Sequence, residues 1–221
     1  MKTSRQFILR TPIILLALGN LVVLIARLWP LQNFLSLGTI SMDPAITLVA
    51  YIGLSFWVGT AREEASRKSL LSAALLGIVA GLFLMAQVVL DIRQAARDPF
   101  AAPDRVQIGL LVAAALVVGI VGLRTAKDGF PTGFAAVASI WASITACLLA
   151  VATVLAETYL GPGQGESSDQ WRDYQGLAIG SPAMQSLVHS LDAIGAFLLV
   201  GPIIGCIVGA VFASFGKPKK G

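Results

Sequence analysis

The chain has 221 residues, of which 56% are hydrophobic and only 13% are charged. Because a soluble domain of this length usually has about 25% charged residues, the composition excludes an ordinary soluble protein and indicates a chain that folds in lipid. The formal net charge is +4, but the basic residues lie in short groups between apolar runs. This distribution is typical of membrane topology and argues against a nucleic-acid partner.

The N-terminal segment, MKTSRQFILRTPIILLALGNLVVLIARLWP, places basic residues before an apolar stretch. A signal peptide has the same order, but this stretch is long for one and no clear small-x-small cleavage site follows it. We therefore expect an uncleaved first transmembrane helix.

Six segments are long and apolar enough to cross a bilayer, which takes roughly 20 residues. They are 11–29, 44–61, 69–91, 105–124, 132–158 and 182–214. Because the bilayer core offers no water to backbone N–H and C=O groups, each span must be a helix. The sequence thus predicts an all-α fold, a polytopic membrane helix bundle in which residues 1–221 form one integral membrane domain with six transmembrane helices.

The basic residues predict the orientation of this bundle. With six spans, one side holds both termini and the loops 62–68 and 124–131. That side has 11 of the 16 Lys and Arg residues: Lys2, Arg5, Arg10, Arg62, Arg67, Lys68, Arg124, Lys127, Lys217, Lys219 and Lys220. Since cytoplasmic loops carry the basic excess, we expect an inner or plasma membrane protein with cytoplasmic N- and C-termini.

Three helix ends resemble one another and suggest an internal repeat. VVLIAR spans 22–27, VVLDIR spans 88–93 and TVLAET spans 153–158, at spacings of 66 and 65 residues. The ends TARE at 60–63 and TAKD at 125–128 are also 65 residues apart. These matches predict three repeated helical hairpins, an arrangement that transporters use. The alternative is chance similarity within a Leu-, Val- and Ala-rich chain.

Small residues four positions apart predict where helices pack closely, because lipid-embedded helices associate through close backbone contact. Such stripes include Gly77 and Gly81 in the third span and Gly201, Gly205 and Gly209 in the sixth. Pro202 cannot donate to the carbonyl four residues earlier, so a kink follows that is either structural or a hinge. The two cysteines lie in apolar runs and are interpreted as free packing residues.

Ionisable residues near the outer ends of spans form a candidate polar cluster. Its members are Arg27, Asp91, Glu157, His189 and Asp192. One interpretation is that they mark the membrane boundary; the other is an outer vestibule in which a histidine and an aspartate relay protons. By depth, we expect Arg27 or Arg105 to pair with Asp192. No second histidine completes a metal site, so we expect no metal and no cofactor.

Asn20 and Gln87 are the only amide side chains in the middle of any span. Hydrogen bonding between helices is the simpler interpretation of both, at roughly 0.6 kcal/mol each. Contact with a substrate near the midplane is the alternative.

Three functions fit these features. The first is a transport- or channel-type protein that moves an ion or small solute; the second is a non-catalytic accessory or scaffold subunit of a larger membrane complex. The third is an integral membrane enzyme that acts on lipid, with His189 and Asp192 as acid–base groups. We favour a non-enzymatic role without catalytic residues, and partners limited to the bilayer and to a homo-oligomer or larger membrane complex.

Overall fold

A computed structural model describes the backbone of residues 2–28, 43–58, 64–95, 102–160 and 182–216. It describes side chains at 13–26, 44–55, 65–94, 102–157, 190–191 and 193–216. These residues form an all-helical structure with six helices. They are α1 (Lys2–Leu28), α2 (Asp43–Val58), α3 (Glu64–Ala95), α4 (Arg105–Lys127), α5 (Thr132–Leu160) and α6 (Pro182–Gly216).

Four stretches of the described helices are long and apolar enough to cross a membrane. They are Ala65–Gln94, Arg105–Lys127, Thr132–Glu157 and Ala193–Gly216, in α3 to α6. The apolar parts of the first two helices, Ile13–Ala26 and Pro44–Ser55, are shorter. The chain is therefore an integral membrane helix bundle with four long apolar helices.

The helices pack as three hairpins, with the last hairpin of the chain in the middle. Helix α5 packs along α6, and this α5/α6 pair lies between the α1/α2 pair and the α3/α4 pair. On one side α3 packs on α5 and α4 on α6; on the other side α1 packs on α5 and α2 on α6. In an apolar 18-residue stretch of α5, 72% is buried, against 22% to 33% in the corresponding stretches of the other three long helices.

The two ends of α4 show how local sequence sets helix ends. Asp104 caps α4 by accepting a hydrogen bond from the backbone N–H of Gln107 at 2.8 Å, and the Gln107 side chain accepts one from the Asp104 N–H at 2.7 Å. This reciprocal pair satisfies two donors that a helix start leaves free. At the other end Gly129 has a φ of +86°, a left-handed conformation that glycine adopts without strain. The chain therefore turns into α5 within four residues.

Helix α3 meets α5 along a stripe of small residues. A Cβ atom on Gly77 would lie 2.5 Å from the backbone oxygen of Ala142, and one on Gly81 would lie 2.6 Å from a methyl carbon of Leu149. At Gly77 the clash is with backbone, which cannot move aside, so only glycine permits this approach of the two helices. At Gly81 a Cβ would require the Leu149 side chain to shift.

The glycines of α6 meet α5 in the same way. Each lies against a small polar or sulfur-containing side chain, and each step of four residues forward in α6 matches a step of four backward in α5. The pairs are Gly201 with Cys147, Gly205 with Ser143 and Gly209 with Ser139. The two helices are therefore antiparallel and in contact over three turns.

A third close contact joins α4 to α6. A Cβ on Gly122 would overlap the backbone of Gly209, and one on Gly119 would lie 2.9 Å from the ring of Phe212. The four helices α3 to α6 thus form one body, closed at three interfaces by glycine contacts. We call it the rigid body.

The predicted repeat is not confirmed by this arrangement and stays a prediction. The register of parallel α3 and α5, in which a residue of α3 faces one 65 to 68 positions later, does coincide with the spacing of the similar helix ends. However, the three hairpins do not have equivalent neighbours, because α5/α6 is central and the other two are peripheral.

Candidate functional site

Two polar side chains cross from the α1/α2 hairpin to backbone carbonyls near the middle of the rigid body. The Nδ2 of Asn20 in α1 donates to the carbonyl of Leu148 in α5 at 2.9 Å. The hydroxyl of Tyr51 in α2 donates to the carbonyl of Leu198 in α6. We call these four groups the mid-depth polar contacts.

The Leu198 carbonyl lacks a helical partner because Pro202 lies four residues later inside α6 and has no N–H. An unsatisfied carbonyl in an apolar surrounding costs free energy, and the Tyr51 hydroxyl supplies the missing donor. The proline and the tyrosine therefore act together, although they lie in different helices. The sequence had singled out Pro202 but not Tyr51.

Both contacts lie at nearly the same depth. Gly201 faces Cys147 across the α5–α6 interface, so Leu148 and Leu198 are within one turn of each other along the bundle. Asn20 is only 5% exposed, and Tyr51 is buried. The α1/α2 hairpin is thus joined to the rigid body by one level of buried polar groups.

Packing around this level differs from packing inside the rigid body. Large side chains, and not glycines, fill the space between the hairpin and α5/α6; buried examples are Ile13, Leu24, Leu48, Ile144 and Leu155. Helical Gly19 and Gly53 of the hairpin have open space where a Cβ would stand. The hairpin therefore packs on α5/α6 through large side chains, with the Asn20–Leu148 and Tyr51–Leu198 hydrogen bonds among them.

Two buried polar atoms near this region have no hydrogen-bond partner among the described residues. One is the indole nitrogen of Trp141, a residue 2% exposed that lies two turns before Leu148 on the same side of α5. The other is the Oε1 of Gln87 in α3. Asn20 thus makes an interhelical hydrogen bond, whereas a role for Gln87 stays a prediction.

The predicted outer cluster is described only in part. Asp91 is exposed on α3 and Glu157 is half-buried on α5. The side chains of Arg27, His189 and Asp192 lie outside the described residues, and so does the expected pairing of Asp192. The outer cluster and its enzyme interpretation therefore stay predictions.

Helix register nevertheless places several backbone positions of the outer cluster at one level. Asp91 and Glu157 are 66 positions apart, which matches the register of α3 and α5. The antiparallel register of α5 and α6 places Glu157 level with Leu191, so Asp192 and His189 follow within one turn.

The level of Arg27 stays a prediction, because the Asn20–Leu148 hydrogen bond alone does not give the direction of α1 relative to α5. Three helices, α3, α5 and α6, carry the ionisable residues that share this level.

The structure has a polar cleft at the opposite end of the bundle, which the sequence did not indicate. It lies between the start of α3 and the end of α4 and has a volume of about 180 Å³. Its lining residues are Ser69, Ser72, Ala73, Leu76, Val121, Arg124, Thr125 and Asp128. Only the pairing of α3 with α4 brings these serines next to the α4 terminus, so no local motif indicates the cleft.

Neither a protein-family model, nor a curated protein, nor a solved structure matches this chain. Within the described parts of the chain, no group of three or more His, Cys, Asp or Glu residues is placed to hold a metal ion. Both cysteines are free, Cys147 buried and Cys206 half-buried. The mid-depth polar contacts are therefore the candidate site that the geometry defines best.

Proposed function

We propose that this chain is a transport-type membrane protein with six spans, which moves an ion or small solute between the α1/α2 hairpin and the rigid body. The observation that carries the proposal is the position of the mid-depth polar contacts. They lie at the junction of two differently packed parts, and one of them involves a carbonyl freed by Pro202.

Secondary transporters bind substrate near the midplane, at the interface between two structural units, and use backbone carbonyls that helix breaks leave free. In the described arrangement the carbonyls of Leu148 and Leu198 accept hydrogen bonds from Asn20 and Tyr51. Moving the hairpin away from α5/α6 exposes all four groups together. They are neutral donors and acceptors, which suits a small polar solute or a monovalent cation.

Motion at this interface is easier than within the rigid body. Sliding α3, α4 or α6 brings Cβ-bearing residues against backbone at the glycine contacts, which overpacks the interface. Gly19 and Gly53 of the hairpin make no such contact. A rocking of one unit against the other is the usual way in which such proteins open to one side at a time.

Cysteine labelling tests this proposal. In a chain with Cys147→Ala and Cys206→Ala, Asn20→Cys places one thiol at the junction; a membrane-impermeant charged methanethiosulfonate is then added to the protein in vesicles. We expect the thiol to react, because opening of the hairpin brings water to mid-depth. Gly19→Cys, next in sequence but facing outward, and Ala150→Cys, fully buried in α5, should both stay unmodified.

The alternative function is a non-catalytic scaffold subunit, and the closed glycine contacts of the rigid body favour it. A scaffold has no reason to open at mid-depth. Asn20→Cys as unreactive as the two controls would therefore overturn the transport proposal and support the scaffold.

The proposal includes the finer assignments that rest on sequence. The shorter helices α1 and α2 cross the membrane like the other four, both termini lie in the cytoplasm, and the membrane is the inner or plasma membrane. The threefold repeat belongs to the same proposal, because its 65-residue spacing agrees with the α3–α5 register.

A further inference from the structure

The cleft between α3 and α4 combines a polar mouth with an apolar floor. The hydroxyls of Ser69 and Thr125 lie 3.3 Å apart across it, so α3 and α4 meet there by a side-chain hydrogen bond. Arg124 and Asp128 are both exposed at its edge. Its volume of about 180 Å³ is several times the roughly 30 Å³ share of one water molecule. The cleft therefore has room for a polar group of several heavy atoms.

The cleft lies where the lipid-facing surface of the bundle ends. On α4, Ile120 is exposed one turn before Arg124; on α3, Leu75 is 57% exposed one turn after the exposed Ser72. Exposed leucine and isoleucine on a membrane helix contact acyl chains. A molecule whose polar end occupies the cleft can thus lay an apolar tail along α3 and α4.

The charges at the edge of the cleft are of both signs. The Arg124 guanidinium presents a fork of donors that suits phosphate oxygens, and the hydroxyls of Ser69 and Ser72 can donate to the same group. Asp128 has a carboxylate at the carboxyl end of α4, where the helix dipole adds partial negative charge. This second part of the cleft disfavours an anion and favours an ammonium group.

We infer that the cleft between α3 and α4 binds the head group of a phospholipid that has both a phosphate and a primary amine, as phosphatidylethanolamine does. Arg124 and the serine hydroxyls hold the phosphate, and Asp128 holds the ammonium. The acyl chains lie over Leu75 and Ile120. A head group that has a phosphate but no amine is repelled by the Asp128 carboxylate. A head group with a trimethylated amine has no N–H to donate to that carboxylate.

Native mass spectrometry of the full chain in detergent tests this inference. Phosphatidylethanolamine, phosphatidylglycerol and phosphatidylcholine with identical acyl chains are added singly, and phosphoethanolamine without acyl chains is added as a competitor. We expect phosphatidylethanolamine to bind tightest. Because an exposed ion pair contributes up to about 1 kcal/mol, Arg124→Gln and Asp128→Asn should each weaken its binding by roughly fivefold.

The control variants are Arg93→Gln and Asp91→Asn, which remove exposed charges of the same kinds from the other end of α3. Both should leave the lipid affinity unchanged. Phosphatidylglycerol binding as tightly as phosphatidylethanolamine, with no loss in Asp128→Asn, would overturn the assignment of the amine to Asp128. Full displacement of the lipid by an equal concentration of phosphoethanolamine would overturn the lipid as occupant, since the acyl chains would then contribute nothing.

Discussion

The Tyr51 hydroxyl donates to the carbonyl of Leu198, the one carbonyl of α6 that Pro202 deprives of its helical hydrogen bond. A side chain from another hairpin therefore replaces a backbone hydrogen bond that α6 lacks. This hydrogen bond lies level with the Asn20–Leu148 hydrogen bond, so the two form a single polar layer within the apolar interface of the α1/α2 hairpin.

Tyr51→Phe should lower the stability of the protein in detergent by about 1 kcal/mol, because it leaves the Leu198 carbonyl buried without a donor. The same substitution made together with Pro202→Ala should cost measurably less, since the introduced alanine supplies the backbone N–H that proline lacks. The measurement is a double-mutant cycle of unfolding free energies. An equal cost of Tyr51→Phe in both backgrounds would show that the tyrosine does not compensate for the proline.

Gly205→Leu should destabilise the protein by roughly 1–3 kcal/mol through overpacking, because a side chain at Gly205 meets Ser143 of α5 directly. Gly195→Leu, three turns earlier in the same helix, is the matched control, since nothing lies within 4 Å of its Cβ position. Thermal unfolding of the purified variants measures the difference. Equal melting temperatures for the two variants contradict the close α5–α6 contact.

A single methyl group should distinguish the two faces of α4. Gly122→Ala places its methyl against the backbone of Gly209, which cannot yield without separating α4 from α6, and so it should destabilise. Gly109→Ala meets open space and should be neutral or stabilising, because alanine favours a helix over glycine by up to about 1 kcal/mol. The expected result is a loss of unfolding free energy in Gly122→Ala and no loss in Gly109→Ala. A loss of stability in both variants would assign the effect to something other than the α4–α6 interface.

Hydropathy predicted the helices better than their ends. The predicted span 105–124 corresponds to the helix Arg105–Lys127, and the predicted span 182–214 corresponds to the helix Pro182–Gly216. The largest difference is at 11–29, where α1 begins at Lys2. Hydropathy reports the part of a helix that lies in hydrocarbon, whereas backbone hydrogen bonding continues through adjoining polar residues that favour a helix.

The order of the hairpins could not be read from the sequence. Lipid is as apolar as leucine, so burial of apolar residues does not determine which helices meet. The small-residue stripes indicate that Gly77 and Gly201 meet other helices closely, but both turn out to face α5, and the stripes do not name that partner. For the same reason the serines of the α3–α4 cleft and the role of Tyr51 appear only once the helices are assembled.

The orientation of α3 to α6 is tested by two reporters that are active only outside the membrane. Fused after Gly165 and after Gly221, they should be active and silent respectively. The Ser69–Thr125 contact and the Gly209–Ser139 contact place the start of α3 and the end of α6 at one end of the bundle, so the two fusions should report opposite sides. An active Gly221 fusion would place the C-terminus outside and contradict the orientation that the basic residues predict.

The number of spans needs a third fusion, because α1 and α2 have shorter apolar parts than the other helices. A hairpin that fails to cross leaves the first two reporters on the same sides, so they do not separate four spans from six. A fusion after Gly38, between α1 and α2, lies outside if both helices cross and inside if neither does. We expect activity there, because Asn20 and Tyr51 reach the middle of α5 and α6 and a hairpin that stayed at the cytoplasmic surface could not. A silent Gly38 fusion beside an active Gly165 fusion would reduce the protein to four spans and remove the hairpin from the proposed pathway.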